Sequence, residues 1–222
     1  MLMNPGTVAA ERFDLGIHAN MLSPQGEFAN AIDNKGWGIS VEGFFKPGTF
    51  PLKIGLQAGY ALYGISKRTE PFSSTIPDVR VDVKTTNNIV TTHAVARLQH
   101  QFGIFSPYVD GLVGFHYLFT ETAVQDQDYD EPIASSTNID DITLSYGFGG
   151  GLSTLLYAFG DKGNYPEKID MLLDFSLRYL FGGEAEYLTK GDIRVDDGEV
   201  VYSASRSKTD RLMVNVGLVF RF

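Results

Sequence analysis

Eight segments of the chain alternate apolar and polar residues, and a period of two is the period of a β-strand. The segments are 12–22, 36–46, 52–66, 88–99, 107–120, 141–156, 169–181 and 210–222. Each has 11 to 16 residues, more than the roughly 5–6 of an ordinary strand and enough for the roughly 9–11 that a tilted strand needs to cross a bilayer. No amphipathic helical pattern competes with this alternation, so we predict eight long strands.

The two faces of these segments differ in charge. One face carries no charged residue in any segment and has aromatic residues near both ends, such as Phe45 at one end and Trp37 at the other. The opposite face carries few charges among many glycines and serines, which is sparse for a surface in water and typical of a crowded barrel interior. This pattern favours a lipid-facing apolar band between two aromatic girdles over a soluble lipocalin-like lipid-binding barrel, whose apolar face points inward.

The connections between the segments alternate in length, which is typical of outer-membrane barrels with short turns on one side and long loops on the other. Residues 46–51 and 99–106 form short connections, and 157–168 is somewhat longer and rich in turn residues. The long connections are 23–35, 67–87, 121–140 and 182–209. Within the last of these, Asp197 and Gly198 separate two alternating runs and predict an additional hairpin.

In hydrocarbon every backbone N–H and C=O must be paired within the protein, so an open sheet cannot persist there. We therefore predict that residues 1–222 form one all-β domain, a closed eight-stranded antiparallel up-and-down transmembrane β-barrel. An even number of strands places both ends of the barrel chain on the side of the short connections.

Composition excludes several classes of protein and site. The net charge of −9 and the pI near 4.8 argue against a nucleic-acid partner, because phosphates require a basic surface. The chain contains no cysteine, which excludes disulfides and thiolate chemistry, and no run of 18 apolar residues that would form a transmembrane helix. The N-terminus lacks the basic and apolar regions of a signal peptide, so we expect either a cytosolic protein or a mature form. No cofactor is predicted.

Polar residues of the inward face predict a network inside the barrel. With the tightest registers that the turns allow, Arg97 lies nearly opposite Asp110, and Glu42 falls beside Gln57. Glycines 147, 149 and 151 would face residues 178, 176 and 174, and so make room for long charged side chains. We favour a structural plug over a gated narrow pore, because buried charges must be paired. The predicted lumen network is Glu42, Gln57, Arg97, Asp110, Asp174 and Arg178.

Catalytic and metal-binding patterns are weak. His18, His93 and His116 point inward and His100 lies in a short turn, and none has a serine or carboxylate partner at a convincing spacing. We therefore predict neither catalytic residues nor an enzymatic activity. Residues 126–131 alternate acids, but the loop lacks the glycine and the final glutamate of a calcium loop. We predict no dedicated metal site there, and loose divalent-cation binding stays open.

The long connections contain large apolar residues among acids, serines and threonines. These residues suit either a recognition surface or packing of the loops against one another, and the sequence does not separate the two. They are Phe72, Ile76, Tyr129, Ile133, Tyr187 and Tyr202.

The last segment, LMVNVGLVFRF, alternates apolar residues up to a C-terminal aromatic, and with the eight strands it resembles the small eight-stranded bacterial outer-membrane β-barrel family, the OmpA-type membrane domain and its relatives. The resemblance implies a bacterial outer-membrane location, a cleaved secretory signal, and contacts with outer-membrane lipid and lipopolysaccharide. It also implies that the barrel-assembly machinery reads the last strand as a signal. The residues matching that signal are Val214, Val216, Leu218, Phe220 and Phe222.

The expected function is that of an integral outer-membrane protein with a structural or scaffold role, whose outer loops bind an envelope protein partner, a surface or a ligand. Three alternatives stay open at this point. They are a narrow porin-like solute pore, an outer-membrane lipid-modifying enzyme, and the soluble lipid-binding barrel.

Overall fold

The computed structural model of the chain describes residues 13–32, 34–73, 76–126, 132–159, 169–189, 192–196 and 199–222. Strands dominate these residues. In chain order the elements are β1 (Phe13–Pro24), α1 (Gly26–Ala31), β2 (Gly36–Phe45), β3 (Leu52–Ser73), β4 (Ile76–Gln99), β5 (Phe105–Asp126), β6 (Pro132–Phe159), β7 (Ile169–Gly182), β8 (Glu184–Tyr187), β9 (Ile193–Asp196), β10 (Glu199–Tyr202), β11 (Ser205–Lys208) and β12 (Arg211–Arg221).

Eight of these strands form a closed barrel in the order β1-β12-β7-β6-β5-β4-β3-β2. All neighbours are antiparallel, and the barrel closes where β12 pairs with β1, from Asp14 opposite Arg221 to Pro24 opposite Arg211. Closure pairs every one of these eight strands on both sides along the apolar band. The prediction of a closed eight-stranded up-and-down barrel is therefore confirmed.

Four of the strands are longer than the sequence predicted. Residues 67–87 and 121–140 were expected to be loops, but β3 and β4 stay paired up to Ser73 and Ile76, and β5 and β6 stay paired up to Gln125 and Pro132. Alternation of apolar and polar residues detects only strands that have one apolar face. The backbone hydrogen bonds between paired strands do not require such a face, so the sequence pattern does not show these extensions. The barrel wall therefore rises well above the apolar band on one side.

The connection between β7 and β12 forms two small sheets, in which β8 pairs with β11 and β9 pairs with β10. The pairing of β9 with β10 confirms the predicted hairpin, with Asp196 opposite Glu199, while Asp197 and Gly198 lie outside the described residues. These sheets belong to the end of the barrel that carries the long connections, which we call the upper end.

A short helix, α1, follows β1 where the sequence predicted only a loop. It contains six residues, too few for a helical period to show in the sequence. Its Phe28 is completely buried, with ring centroids 5.7 Å from Tyr63 and 5.2 Å from Tyr187. Within the described ranges, no helix has the length and apolarity needed to cross a membrane.

Side chains alternate between a mostly polar, buried inside and an apolar, exposed outside. In β7, for example, Asp174 and Ser176 are buried, whereas the neighbouring Phe175 and Leu177 are 52% and 46% exposed. Two apolar clusters interrupt the polar interior. One, the cap cluster, lies at the upper end and contains Leu22, Phe28, Ile32, Ala61, Tyr63, Ile89, Leu118, Ala185 and Tyr187. The other contains Phe44, Val95, Leu112, Leu180 and Met213.

Candidate functional site

The strand register brings the predicted lumen residues together. Arg97 of β4 lies opposite Asp110 of β5, and Glu42 of β2 lies opposite Gln57 of β3, as the tightest registers predicted. The glycine register differs by two residues, because Gly149 lies opposite Arg178 and Asp174 lies opposite Ser153. The prediction ended this strand at residue 156, whereas β6 continues to Phe159 and contains a bulge near Leu155 that shifts the register. A shift of two residues leaves every side chain on its predicted face.

Asp110 is the centre of a buried ion-pair network. It accepts hydrogen bonds from Arg97 Nε (2.8 Å) and Nη2 (3.0 Å), and from Arg178 Nε (3.1 Å) and Nη2 (2.8 Å). Glu42 completes the network, since its carboxylate lies 2.9 Å from Arg178 Nη2 and 3.2 Å from Arg97 Nη2. All four residues are buried, with at most 4% of their surface exposed. Two cations and two anions thus neutralise one another across the middle of the lumen.

Aromatic rings and a glycine close the space around the network. The Arg97 guanidinium carbon lies 4.1 Å from the ring centroid of Phe44 and 3.8 Å from that of Tyr108, a cation–π arrangement with each ring. A Cβ atom at Gly149 would lie 2.5 Å from the carbonyl oxygen of Leu177 and 2.6 Å from Arg178 Cγ. Only glycine therefore lets β6 approach β7 where the Arg178 side chain leaves the wall.

Asp174 belongs to a second, adjoining cluster rather than to an ion pair with arginine. It accepts hydrogen bonds from Tyr108 Oη (2.7 Å) and Ser153 Oγ (2.7 Å), and its Oδ2 lies 3.2 Å from His18 Nε2. Sequence reasoning missed Tyr108 and Ser153, and it assigned His18 no partner. Their inward position was readable from the alternation. Ser153 meets Asp174 through the register of the paired strands β6 and β7. Tyr108 and His18 lie 66 and 156 residues from Asp174 along the chain, on strands that do not pair with β7, and reach it only in the closed barrel.

Three of these side chains also have the spacing of metal ligands. One donor atom each from His18, Glu42 and Asp174 lies within 4.8 Å of the others. However, the Glu42 carboxylate already faces the guanidinium groups of Arg97 and Arg178. A divalent cation would be repelled by two positive charges at contact distance, so the group is better suited to ion pairing than to metal binding.

Two of the four histidines have a carboxylate or serine partner that the sequence spacing did not indicate, His18 with Asp174 and His93 with Ser145. His93 Nε2 lies 2.9 Å from Ser145 Oγ, and His93 Nδ1 lies 3.1 Å from Gln57 Oε1, so Gln57 contacts His93 rather than Glu42 through its side chain. His93 and Ser145 are at most 1% exposed. A serine next to a histidine can serve as a nucleophile, but this pair lies inside the wall of the barrel, away from solvent and lipid. His100 instead lies in the exposed turn after β4, 4.5 Å from the Phe102 ring.

The upper lumen contains a buried arginine, Arg211, that has no counterion among the described residues. Arg211 is completely buried, and within the described part of the chain none of its three guanidinium nitrogens has a hydrogen-bond partner. Both ring nitrogens of the buried His116 and the hydroxyl of Tyr63 also lack partners among the described residues. Polar atoms without a described hydrogen-bond partner are thus concentrated below the cap cluster, and Gln57 Nε2 and Thr91 Oγ1 add two further down the lumen.

The cap cluster decides one of the alternatives left open for the loop residues. Tyr187 is 1% exposed and packs on Phe28, and its hydroxyl lies 2.7 Å from Ser207 Oγ. Burial raises the pKa of Tyr187. This residue therefore packs the upper connections together. Tyr129 and the acidic stretch 127–131 lie outside the described residues, and so do the side chains of Phe72, Ile76, Ile133 and Tyr202.

The outside of the barrel is an apolar band bounded by aromatic residues. Large apolar side chains around the middle of the band are strongly exposed, such as Leu56 (67%), Ile39 (62%) and Val113 (60%). The lower girdle, at the end with the short connections, contains Phe13, Phe45, Tyr157, Phe159 and Phe222. The upper girdle contains Trp37, Tyr117, Tyr146, Tyr179 and Phe181. The predicted assembly-signal residues lie on this outer face along β12, and Phe222 follows directly after that strand.

Comparison with known proteins gives structural likenesses only. No family model matches the sequence, and no curated protein sequence matches it. Neisserial surface protein A is 13% identical with a TM-score of 0.44, covering 94% of this chain and 96% of that one. A major outer membrane protein from Thermus thermophilus is 14% identical with a TM-score of 0.43, covering 95% and 99%. The N-terminal barrel domain of Pseudomonas aeruginosa OprF is 11% identical with a TM-score of 0.37, covering 94% and 97%. We therefore base the functional proposal on the residues of the chain itself.

Proposed function

We propose that this chain is an integral β-barrel protein of the bacterial outer membrane with a closed lumen and a structural or scaffold role. The observation that carries the proposal is the exposed apolar band with its two girdles. Soluble proteins rarely expose contiguous apolar patches above about 300–600 Å², whereas this band encircles the molecule. A lipocalin-like barrel would have the opposite arrangement, with its apolar face inside, and here the inside is polar.

The proposed orientation follows from the lengths of the connections. The short connections lie at the lower end, together with the start of β1 and the end of β12. In outer-membrane barrels the short turns face the periplasm and the long connections face the outside of the cell. The outer side of the membrane would then hold the extensions of β3 to β6, the cap cluster and the two small sheets. Lipopolysaccharide and envelope or external partners are found on that side.

The closed lumen favours a scaffold over a pore. Arg97, Asp110, Arg178 and Glu42 join opposite walls, and the rings of Phe44 and Tyr108 pack against the Arg97 guanidinium. An enzymatic role is disfavoured as well, because the His93–Ser145 pair is inaccessible from the lipid and from the upper surface. Recognition of β12 by the barrel-assembly machinery, carried over from the family resemblance, belongs to the same proposal.

Insertion is tested with two matched isoleucine variants. Ile17 lies at the middle of the band and is 54% exposed, whereas Ile65 lies above the upper girdle on the extension of β3 and is 58% exposed. A lysine at the bilayer midplane costs about 2–4 kcal/mol, against about 0–1 near the interface. We expect Ile17→Lys to lower the free energy of unfolding in lipid vesicles by about 2–4 kcal/mol, and Ile65→Lys to change it little.

Equal effects of the two substitutions, together with a chain that stays folded and monomeric in water without detergent, would refute a membrane location. The pore alternative is tested separately by planar-bilayer recording of the refolded chain. A scaffold with a closed lumen gives no unitary conductance, and stable conductance steps would support the pore instead.

A further inference from the structure

A cavity of about 340 Å³ opens at the lower end of the barrel, between the connections 46–51 and 100–104. Positively charged and amide side chains dominate its lining, and no carboxylate lines it, all of its lining residues being described. The polar groups that matter are Lys46, Lys53, Gln99, His100, Gln101 and Arg221.

Buried carboxylates next to this cavity balance only part of the positive charge that lines it. Lys53 and Arg221 both bond the buried carboxylate of Asp14, and Asp170 lies opposite Arg221 in the β7–β12 register. Two acids thus offset two of the bases. Lys46 is half-buried at the cavity rim and has no ion-pair partner among the described residues. The cavity therefore has an excess of positive charge, although the chain as a whole has a net charge of −9.

A second, apolar groove of about 310 Å³ adjoins the cavity on the outer face. The two share Pro51, Gln99 and His100. The groove is otherwise lined mainly by apolar side chains, among them Phe50 (65% exposed) and Val109 (58% exposed). It is continuous with the apolar band.

The boundary between the cavity and the groove, which we call the junction, lies at the level of the lower girdle. Lys46 directly follows Phe45, whose ring centroid is 5.1 Å from that of Phe13. Aromatic girdles mark the depth at which lipid headgroups meet acyl chains. A basic cavity on one side of Pro51 and an apolar groove on the other therefore meet at the depth where a phospholipid changes from polar to apolar.

We propose that this junction is a binding site for an anionic phospholipid, whose headgroup phosphate occupies the basic cavity and whose acyl chain lies in the groove. The proposal rests on the proposed membrane function. A free phosphate ion would pair with Lys46 but would leave the groove unused, whereas a lipid uses both the cavity and the groove. Juxtamembrane basic side chains attract anionic lipids in the same way, through charge at the headgroup level.

The test uses the full chain refolded in mixed detergent–lipid micelles, with lipid retention measured by native mass spectrometry. The probes are phosphatidylglycerol, phosphatidylcholine and inorganic phosphate. We expect preferential retention of phosphatidylglycerol by the wild type. Lys46→Gln removes the cation without an ion-pair partner and should weaken retention about five-fold, since one juxtamembrane base contributes about that factor. Phe50→Ser should also weaken it, because it removes apolar surface from the groove.

Lys67→Gln is the matched control, because Lys67 is an exposed lysine on the upper extension of β3, far from the cavity. Equal retention by Lys46→Gln and Lys67→Gln would overturn the proposal. So would equal competition by inorganic phosphate together with an unchanged Phe50→Ser variant, which would indicate a phosphate site alone. Each variant is also assayed for insertion into vesicles. A wild type that inserts into vesicles but retains phosphatidylglycerol and phosphatidylcholine equally refutes only this site, whereas failure of the wild type to insert refutes the proposed function.

Discussion

Replacing Asp110 by asparagine tests whether the central ion-pair network holds the barrel together. The change keeps the side-chain volume but removes the anion that accepts four hydrogen bonds from Arg97 and Arg178. The two buried guanidinium groups would then share Glu42, whose carboxylate lies within 3.2 Å of both. The side-chain amide nitrogen of asparagine is also a hydrogen-bond donor, and it would face guanidinium groups that are donors themselves.

The magnitude follows from burial. Removing one partner of a buried ion pair costs about 3–5 kcal/mol, because the other charge stays buried and uncompensated. Asp110 serves two arginines, but these contacts share one carboxylate and are not additive. We therefore expect Asp110→Asn to lower the free energy of unfolding by about 3–5 kcal/mol, with little dependence on salt, since buried pairs are weakly screened.

Urea titration in lipid vesicles measures this effect. The single tryptophan, Trp37, is 66% exposed on the outer face and reports the loss of its lipid environment by fluorescence. The matched control is Glu184→Gln, which breaks the exposed pair between Glu184 and Arg206, whose side chains are 57% and 64% exposed. An exposed pair contributes about 0–1 kcal/mol.

A loss below about 1 kcal/mol for Asp110→Asn, equal to that of the control, would refute the reasoning. A double variant gives a second check. Arg178→Met in the Asp110→Asn background should recover part of the lost stability, because it removes one of the two stranded cations. Additive losses would show that Asp110 and Arg178 do not interact in the lumen.

Three further predictions concern other parts of the barrel. Arg211→Met should raise the free energy of unfolding by about 1–4 kcal/mol in the same titration. The change replaces a buried cation, which has no hydrogen-bond partner among the described residues, by an apolar side chain. A lower free energy of unfolding would show that the guanidinium is paired. Gly149→Ala should destabilise the barrel by about 1–3 kcal/mol through overpacking, whereas Gly111→Ala, whose Cβ would meet nothing within 4 Å, should be nearly neutral. Equal effects would contradict the close approach of β6 to β7. Phe28→Ala should cost about 3–5 kcal/mol if the cap cluster folds with the barrel, and an unchanged urea midpoint would show that it unfolds independently.

The faces of the strands were predictable because a period of two depends only on local sequence. Arg97 and Asp110 were predictable as a pair for a related reason, since a short connection between consecutive strands leaves few registers. The same argument failed after β6, where a longer connection and a bulge moved Gly149, rather than Gly147, opposite Arg178.

The extended wall and the cap were not predictable from periodicity. In β3–β6 above the band, backbone pairing continues without an apolar face to mark it. Tyr187 lies in a long polar connection, and its burial against Phe28 depends on a helix of six residues whose own pattern is too short to detect.

The sequence by itself determined that the chain forms a barrel with an apolar outside and a polar inside, because alternation assigns each residue to a face before any strand finds its neighbour. Only the tertiary structure decided which inward charges meet. Arg178 contacts Asp110 and Glu42, which are 68 and 136 residues away and belong to strands that are not its neighbours in the sheet. Such contacts cross the lumen, and closure of the barrel sets their distances.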